Sequence, residues 1–384
     1  MLTISHQLNG ESVTASIQGH VDSSNAAELE AQLSMADTAK RLILDVEELE
    51  YISSAGLRTI LKFRKKHPDL EIVNASTEVY EILDMTGFTE MMSVKRAYRS
   101  VSVEGCEVIG EGAKGRVYRI DPDTVVKVYF DSDSLGAIEH EREVARKALV
   151  LGIPTAISYD VVKVDGCYAS MFEMVNAASF SELLADHPED VDRYAAMFVD
   201  MLKLIHATEV PAGQLPSRKE YVKGRVKYAE SVLPQEVFAK LWELIEAVPE
   251  TNGMIHGDYH TKNLMLQNDE VILIDMDTLS VGHPIFELSS IYMSFVGHYL
   301  LDHDAFKAFL GFDYDIGMRM WQDILRLYYD GEDEEKLAVR EKQITLLGDA
   351  MLLGRSVLKT TGQRFVDLYA AEVCRLLPQV DTLL

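Results

Sequence analysis

The stretch Ile255-His256-Gly257-Asp258-Tyr259-His260-Thr261-Lys262-Asn263-Leu264 decides how this chain is read. Its polar residues lie between apolar ends, and Asp258 and Asn263 stand five positions apart. A polar cluster at the end of a buried strand is ordinarily a capped turn. Here a second apolar run, Val271-Ile272-Leu273-Ile274, follows and ends in Asp275, twelve residues after Asn263. The Asn263 amide and the Asp275 carboxylate thus come from neighbouring apolar segments, and such oxygen donors suit a hard divalent cation.

Working outward, Gly110-Glu111-Gly112-Ala113-Lys114-Gly115-Arg116-Val117-Tyr118 fits G-x-G-x-x-G-x-V-Y. Glycines let backbone amides approach phosphate oxygens closely and permit positive φ in a turn. On its own the segment reads equally well as a hairpin turn. Then Thr124-Val125-Val126-Lys127-Val128-Tyr129 sets a lysine in the middle of an apolar strand. Lysine is rarely buried without a partner; the alternative is an edge-strand lysine facing solvent. Residues Ile138 to Leu151 read as a helix stopped by Gly152 and Pro154. That helix carries three glutamates, Glu139, Glu141 and Glu143.

Taken in order, these elements resemble the catalytic parts of kinases, whose loop has the pattern H-x-D-x-x-x-x-N. His256-Gly257-Asp258, with Gly in the middle, is similar to the aminoglycoside phosphotransferase, choline kinase and homoserine kinase group. Ile274-Asp275-Met276-Asp277 stands where that group has I-D-W/F-x. Gly282-His283-Pro284-Ile285-Phe286-Glu287-Leu288 resembles its G-x-P-x-x-D-L stretch. Met276 replaces an aromatic and Glu287 an aspartate. The resemblance runs from Gly105 to the C-terminus. It implies ATP and Mg²⁺ as cofactors: Gly110, Gly112, Gly115 and Lys127 hold the nucleotide, Asn263 and Asp275 hold the metal, and Asp258 takes or orients the acceptor's proton. Glu143 is assigned as the partner of Lys127, because Arg142-Glu143 and the distance to Gly152-Ile153-Pro154 resemble the family pattern; the other glutamates read as surface residues. The segment Met171-Phe172-Glu173-Met174-Val175 resembles the hinge between lobes, with the backbone of Glu173 and Val175 pairing with adenine. His206, in Leu202-Lys203-Leu204-Ile205-His206-Ala207, reads as structural.

The first hundred residues alternate strand and helix signals, which argues for a small α/β sandwich. Strands are expected at Val13–Ile17, Leu42–Val46 and Leu70–Val73, and helices at Ser24–Met35, Gly56–Lys66 and Val79–Met85. Leu44 to Arg58 (LDVEELEYISSAGLR) resembles the signature of STAS domains, the anti-sigma factor antagonist family, and Gly19 to Ala26 resembles its upstream G-x-x-D-x-x-N/T segment. In that family a serine at the helix start is the phosphorylation switch, and the matching residue here is Ser54. The usual pattern is D-S-S/T-G-L, and this chain has Ser53-Ser54-Ala55-Gly56-Leu57, with Ser53 in place of the aspartate. Ser54 is also placed to cap the helix, a role compatible with carrying a phosphate of about −1.5 to −2 charge.

The expected architecture is therefore an α/β STAS sandwich over residues 1–100, then a two-lobed α+β protein-kinase-like domain over 105–384. Its smaller lobe spans about 105–172 and its mostly helical larger lobe about 176–384. The linker is expected between Val94 and Gly105, and the acidic run Asp330 to Glu335 as a solvated loop.

The 384 residues carry a formal net charge of −25. That excess repels phosphate backbones, so nucleic acid is not an expected partner. It either favours cationic acceptors or simply keeps the chain soluble. Three scattered cysteines offer neither a zinc site nor a disulfide framework. There is no basic segment followed by an apolar core at the N-terminus, and no spanning apolar stretch. The cytoplasm is the expected location, with no membrane contact. The expected function is transfer of the ATP γ-phosphate to a small-molecule hydroxyl under STAS control, with a protein partner at the STAS face. The alternatives are a serine kinase acting on Ser54 or a partner's STAS serine, and a non-enzymatic nucleotide-sensing scaffold.

Overall fold

The structure, a computed structural model, describes residues 2–112, 114–174, 177–360 and 362–384. It divides into two compact units, residues 1–105 with 161–169, and residues 106–160 with 170–384. The short excursion 161–169 groups with the first unit because Lys163 exchanges backbone hydrogen bonds with Arg99 and Val101.

In the first unit a hairpin, Thr3–Asn9 and Ser12–Val21, starts a sheet that continues in parallel through Arg41–Asp45, Glu71–Ala75 and Ser93–Arg96. Leu49–Ile52 pairs separately with the far end of Ser12–Val21. Ala15, Ile17 and Val21 alternate inward along that central strand, as period-two burial requires. The helices Ala26–Leu33, Ser54–Lys66 and Thr77–Met85 bury Leu29, Leu33, Leu57, Ile60, Phe63, Val79 and Leu83 in one core. Each such side chain contributes about 1.5–3 kcal/mol relative to exposure. Gly56 allows the closest approach: a Cβ there would meet Val21 and Ile52 side chains at 2.5 and 2.7 Å.

Two expectations shift here. Ser93–Arg96 is the last parallel strand of the sheet, so the expected linker loses its first residues to the fold. Thr3–Asn9 and Leu49–Ile52 were not expected as strands, since neither alternates cleanly between apolar and polar residues.

The smaller lobe is a sheet ordered Ser158–Val164, Cys167–Glu173, Thr124–Tyr129, Gly115–Asp121, Glu107–Glu111, whose first two strands take in residues 161–169. The helix Leu135–Val150 accompanies it. The larger lobe is helical. Val191–Ala207 buries Val191, Tyr194, Ala195, Phe198, Leu202 and Ile205, the stripe of an amphipathic helix. Glu334–Lys359 is buried nearly all round its second half, through Leu346, Leu347, Ala350, Met351 and Leu353, and forms the centre of that core. The acidic run is a mostly exposed loop as far as Asp333, and the expectation fails only for Glu334 and Glu335, which are helical. Asp333 caps this helix, its Oδ1 accepting the Lys336 N–H at 2.9 Å, and Glu334 and Glu335 occupy the first turn. Negative charge is favoured at that end by the helix dipole.

Two short ribbons carry the site. Met254–Ile255 pairs with Ser280–Val281, and Leu264–Gln267 pairs with Glu270–Leu273. The loop 256–263 is thereby held at both ends by apolar strands.

Candidate active site

Lys127 lies on the central strand of the smaller lobe, flanked by the buried Val126 and Tyr129. Its Nζ stands 3.0 and 3.2 Å from the two carboxylate oxygens of Glu141 and 3.1 Å from Asp275 Oδ1. Burial works against its charge, but Glu141 and Asp275 outweigh it and hold the ammonium above its ordinary value. Glu141 also accepts the Tyr129 hydroxyl at 2.7 Å.

This corrects the assignment of Glu143. Glu143 points to the surface and pairs with Lys147 one turn on. The signal for Glu141 was present in the helix period. The buried positions are Ile138, Glu141, Val144, Ala145 and Ala148, spaced by three and four, and Glu143 is out of phase with them.

Asp275 follows its strand in the left-handed region, φ 61° and ψ 59°. That strained turn redirects the carboxylate from the strand line towards Lys127. The Ile274 N–H donates to the Asn263 carbonyl at 3.0 Å, and Asn263 Nδ2 donates to the Asp258 carbonyl at 2.9 Å. Lys127, Asp275, Asn263 and Asp258 therefore form one continuous set of neighbours. With Nδ2 spent on Asp258, the oxygen of the Asn263 amide is its remaining ligand atom. Together with Asp275 it offers two oxygen donors. Mg²⁺ is commonly held by one or two protein oxygens plus phosphates and water, so these residues fit it. Among the described residues no group of three or more His, Cys, Asp or Glu forms a dedicated metal cage.

Asp258 is about half exposed, and His260 Nε2 stands 3.7 Å from its Oδ1. Burial raises the Asp258 carboxyl, but His260, His256 and Arg218 outweigh it and leave the group below its ordinary value. The aspartate is therefore ionised at neutral pH and can accept a proton or a hydroxyl hydrogen bond.

The loop beneath it is rigid. Glu287 is fully buried and accepts the N–H groups of His256 and Gly257, both at 2.7 Å. Its extra methylene relative to aspartate is thus spent on reaching two peptide amides. His206 Nε2 lies 3.6 Å from Glu287 and its Nδ1 lies 2.7 Å from the Tyr328 hydroxyl, a structural placement. Thr278 Oγ1 donates to the His256 carbonyl at 2.8 Å. Met276, where an aromatic was expected, is buried in the core of the larger lobe.

Gly110 and Gly115 lie on paired strands, and the Gly112 N–H donates to the Gly115 carbonyl at 2.9 Å. None of the three has positive φ, so the expected conformational reason fails. Gly115 is needed for a different reason: a Cβ there would run into the Val128 carbonyl on the neighbouring strand. Lys114, next in the loop, forms an ion pair with Asp277. Glu173 closes the strand Cys167–Glu173 and is exposed; Val175 lies outside the described residues.

In the first unit, the N-cap of helix Ser54–Lys66 is Ser53, whose Oγ accepts the Ala55 N–H at 3.3 Å. Ser54 is the first helical residue and is exposed. The capping role expected of Ser54 belongs to its neighbour.

Comparison with known proteins matches two families along the chain. The profile of the phosphotransferase enzyme family matches residues 105–318, and that of the STAS domain matches residues 4–102. The anti-sigma factor antagonist BtrV of Bordetella bronchiseptica is 36% identical over 86 residues, covering 21% of this chain and 74% of that protein. Among solved structures, aminoglycoside phosphotransferase APH(4)-Ia aligns at 14% identity with a TM-score of 0.51, covering 71% of this chain and 93% of its own. A thermostable mutant of the same enzyme, in ternary complex with ADP and hygromycin B, aligns at 14% identity and TM-score 0.50, covering 72% and 94%. At that identity the likeness is one of fold.

Proposed function

Because this chain belongs to the phosphotransferase enzyme family and carries a STAS domain of the anti-sigma factor antagonist type ahead of it, we propose that it moves the γ-phosphate of Mg-ATP to a hydroxyl of a small molecule. The observation that carries this reading is that Lys127 meets the Asp275 carboxylate, the neighbouring Ile274 N–H meets the Asn263 carbonyl, and the Asn263 amide meets the Asp258 carbonyl. Lys127, fixed by Glu141, neutralises phosphate charge, and the paired strands that carry Gly110 and Gly115 cover the phosphates. Asn263 and Asp275 would hold Mg²⁺, which when bound screens charge on the transferred group. Asp258, ionised and half exposed, orients the attacking hydroxyl.

A small acceptor is favoured because no A-P-E-like segment follows Asp275 in the sequence, the element that organises protein substrates in protein kinases. Hygromycin B, bound by the structural neighbour, is a sensible first probe. An acceptor screen with labelled ATP on the full chain tests the reading; no transfer to any hydroxyl compound, with ATP bound, would end it.

A second reading rests on the first unit. Ser54 is exposed, is relieved of capping by Ser53, and opens a helix whose free N–H groups tolerate a phosphate. A kinase covalently joined to such a serine could phosphorylate it, or a partner's equivalent, and change how the STAS face docks on a protein partner. Intact-mass measurement after incubation with Mg-ATP decides this: one added phosphate, absent in Ser54→Ala, supports it.

A further inference from the structure

One buried cation stands against the catalytic loop and has no role in the scheme above. Arg218 opens the helix Arg218–Val226 and is 4% exposed. Its position is unfavourable for its own helix, because the N-terminal end of the dipole repels positive charge. Burial adds a desolvation cost of several kcal/mol for an ion. Such a residue is retained for what it touches.

Arg218 Nη2 donates to the Gly257 carbonyl at 2.7 Å and to Ser290 Oγ at 3.1 Å, and the guanidinium lies over the Tyr221 ring at 4.4 Å. The Gly257 carbonyl belongs to the peptide unit that leads into Asp258. The other edge of that unit, the Asp258 N–H, donates to His256 Nδ1 at 3.3 Å. His256 is fully buried, and burial holds it below its ordinary value, so its neutral ring can accept at Nδ1. Its Nε2 faces the Ile274 carbonyl at 3.3 Å, a bond that fixes the tautomer with hydrogen on Nε2. The Gly257–Asp258 peptide plane is thus gripped on both edges. Gly257 has φ +90°, and a Cβ there would meet the Thr278 carbonyl and the Arg218 guanidinium. Rotation of this one plane would swing the Asp258 carboxylate out of line.

We propose that Arg218 is a positioning residue: by holding the Gly257 carbonyl it locks the peptide plane that aims Asp258 at the reacting hydroxyl. This rests on the phosphotransferase reading of the site. Lysine at the same place keeps the charge but lacks the longer, planar guanidinium whose Nη2 reaches both Gly257 and Ser290.

The test uses the full chain, Mg-ATP, and water as the acceptor probe, with ADP release as the readout. In Arg218→Ala, kcat falls about 100-fold while KM for ATP stays within about threefold. Millimolar guanidinium restores activity to that variant by about tenfold and leaves the wild type unchanged. Arg218→Lys is intermediate. A kcat for Arg218→Ala within about twofold of wild type overturns the proposal, and so does a loss that guanidinium cannot repair and that is matched by lost ADP binding. Should Arg218→Ala fail to fold, Arg218→Lys decides: a kcat lowered about tenfold at constant KM supports the role, and an unchanged kcat refutes it. A wild-type chain that binds ADP but never turns Mg-ATP over, with water or with any hydroxyl compound of the acceptor screen, sinks the phosphotransferase reading itself; an active wild type with indifferent Arg218 variants sinks only this inference.

Discussion

Lys127 Nζ lies 3.0 Å from Glu141 Oε1, which ties the central strand of the smaller lobe to its helix. Without that carboxylate the ammonium would keep, among the described residues, Asp275 as its one ionic partner, a group the metal would also claim. Glu141→Gln should therefore lower kcat/KM for Mg-ATP about 10- to 100-fold. Glu143→Gln should stay within about twofold, because the Glu143–Lys147 pair is an exposed contact worth about 0.3–0.5 kcal/mol. Steady-state kinetics of the two variants side by side settle which glutamate serves Lys127.

In the proposed reaction Asp258 acts at the acceptor and Asp275 at the metal. Asp258→Asn should lower turnover by about 10³-fold, the scale of a lost general base, while ADP binds within about threefold of wild type. Asp275→Asn should instead raise the Mg²⁺ concentration for half-maximal turnover by about tenfold or more. Mg²⁺ titrations of both variants distinguish the roles; equal Mg²⁺ dependence in the two would refute the division.

The site was legible where chemistry needs fixed residue types at fixed spacing. Asp258 and Asn263 in a loop bounded by apolar strands, Asp275 just past one strand and Lys127 inside another could be picked out as candidates, because apolar surroundings leave few other reasons for such residues. Glu141 was missed because family resemblance was followed in place of the helix period. Arg218 and Thr278 could not be read at all. They reach the loop through tertiary packing from segments with no motif of their own, and a single sequence does not say which surface a helix start meets. In the first unit the helices and inner strands declared themselves through burial period. The edge strands Thr3–Asn9 and Ser93–Arg96 did not, since a strand paired on one side tolerates irregular patterning.

Glu287 accepts two peptide N–H groups at 2.7 Å from a fully buried position. Glu287→Gln replaces one acceptor oxygen by a donor, so one buried amide loses its partner and faces another N–H. A loss of about 1–3 kcal/mol follows. Differential scanning should show the thermal midpoint of the larger unit falling by several degrees, with turnover reduced as the loop loosens. A midpoint unchanged within error would contradict the bracing role.

Ser53 and Ser54 are neighbours with different duties. Ser53→Ala removes the cap and should destabilise the first unit by about 1 kcal/mol. Ser54→Ala should leave stability within about 0.5 kcal/mol, as expected for an exposed side chain away from such features. Urea midpoints of the two variants check this. A larger loss in Ser54→Ala would reverse the assignment of the cap.

Asp349 supplies a pH dependence that belongs to folding alone. It is fully buried on Glu334–Lys359; the Tyr292 hydroxyl donates to its Oδ1 at 3.1 Å, and its Oδ2 has no partner among the described residues. Burial pushes its carboxyl up from 3.8 to about 7, Glu372 adding to the effect and Tyr292 and Arg375 opposing it. A raised carboxyl binds its proton more tightly folded than unfolded. Its stabilisation is therefore present at low pH and is lost as pH rises through about 7. Between the two values the slope approaches about 1.4 kcal/mol per pH unit. Asp349→Asn keeps the shape without the charge, so it should remove this slope and exceed the wild type in stability at pH about 8. Thermal midpoints of both proteins at several pH values test the point. A variant less stable than wild type at every pH would show that the ionised carboxylate is favourable where it lies, and the burial argument would fall.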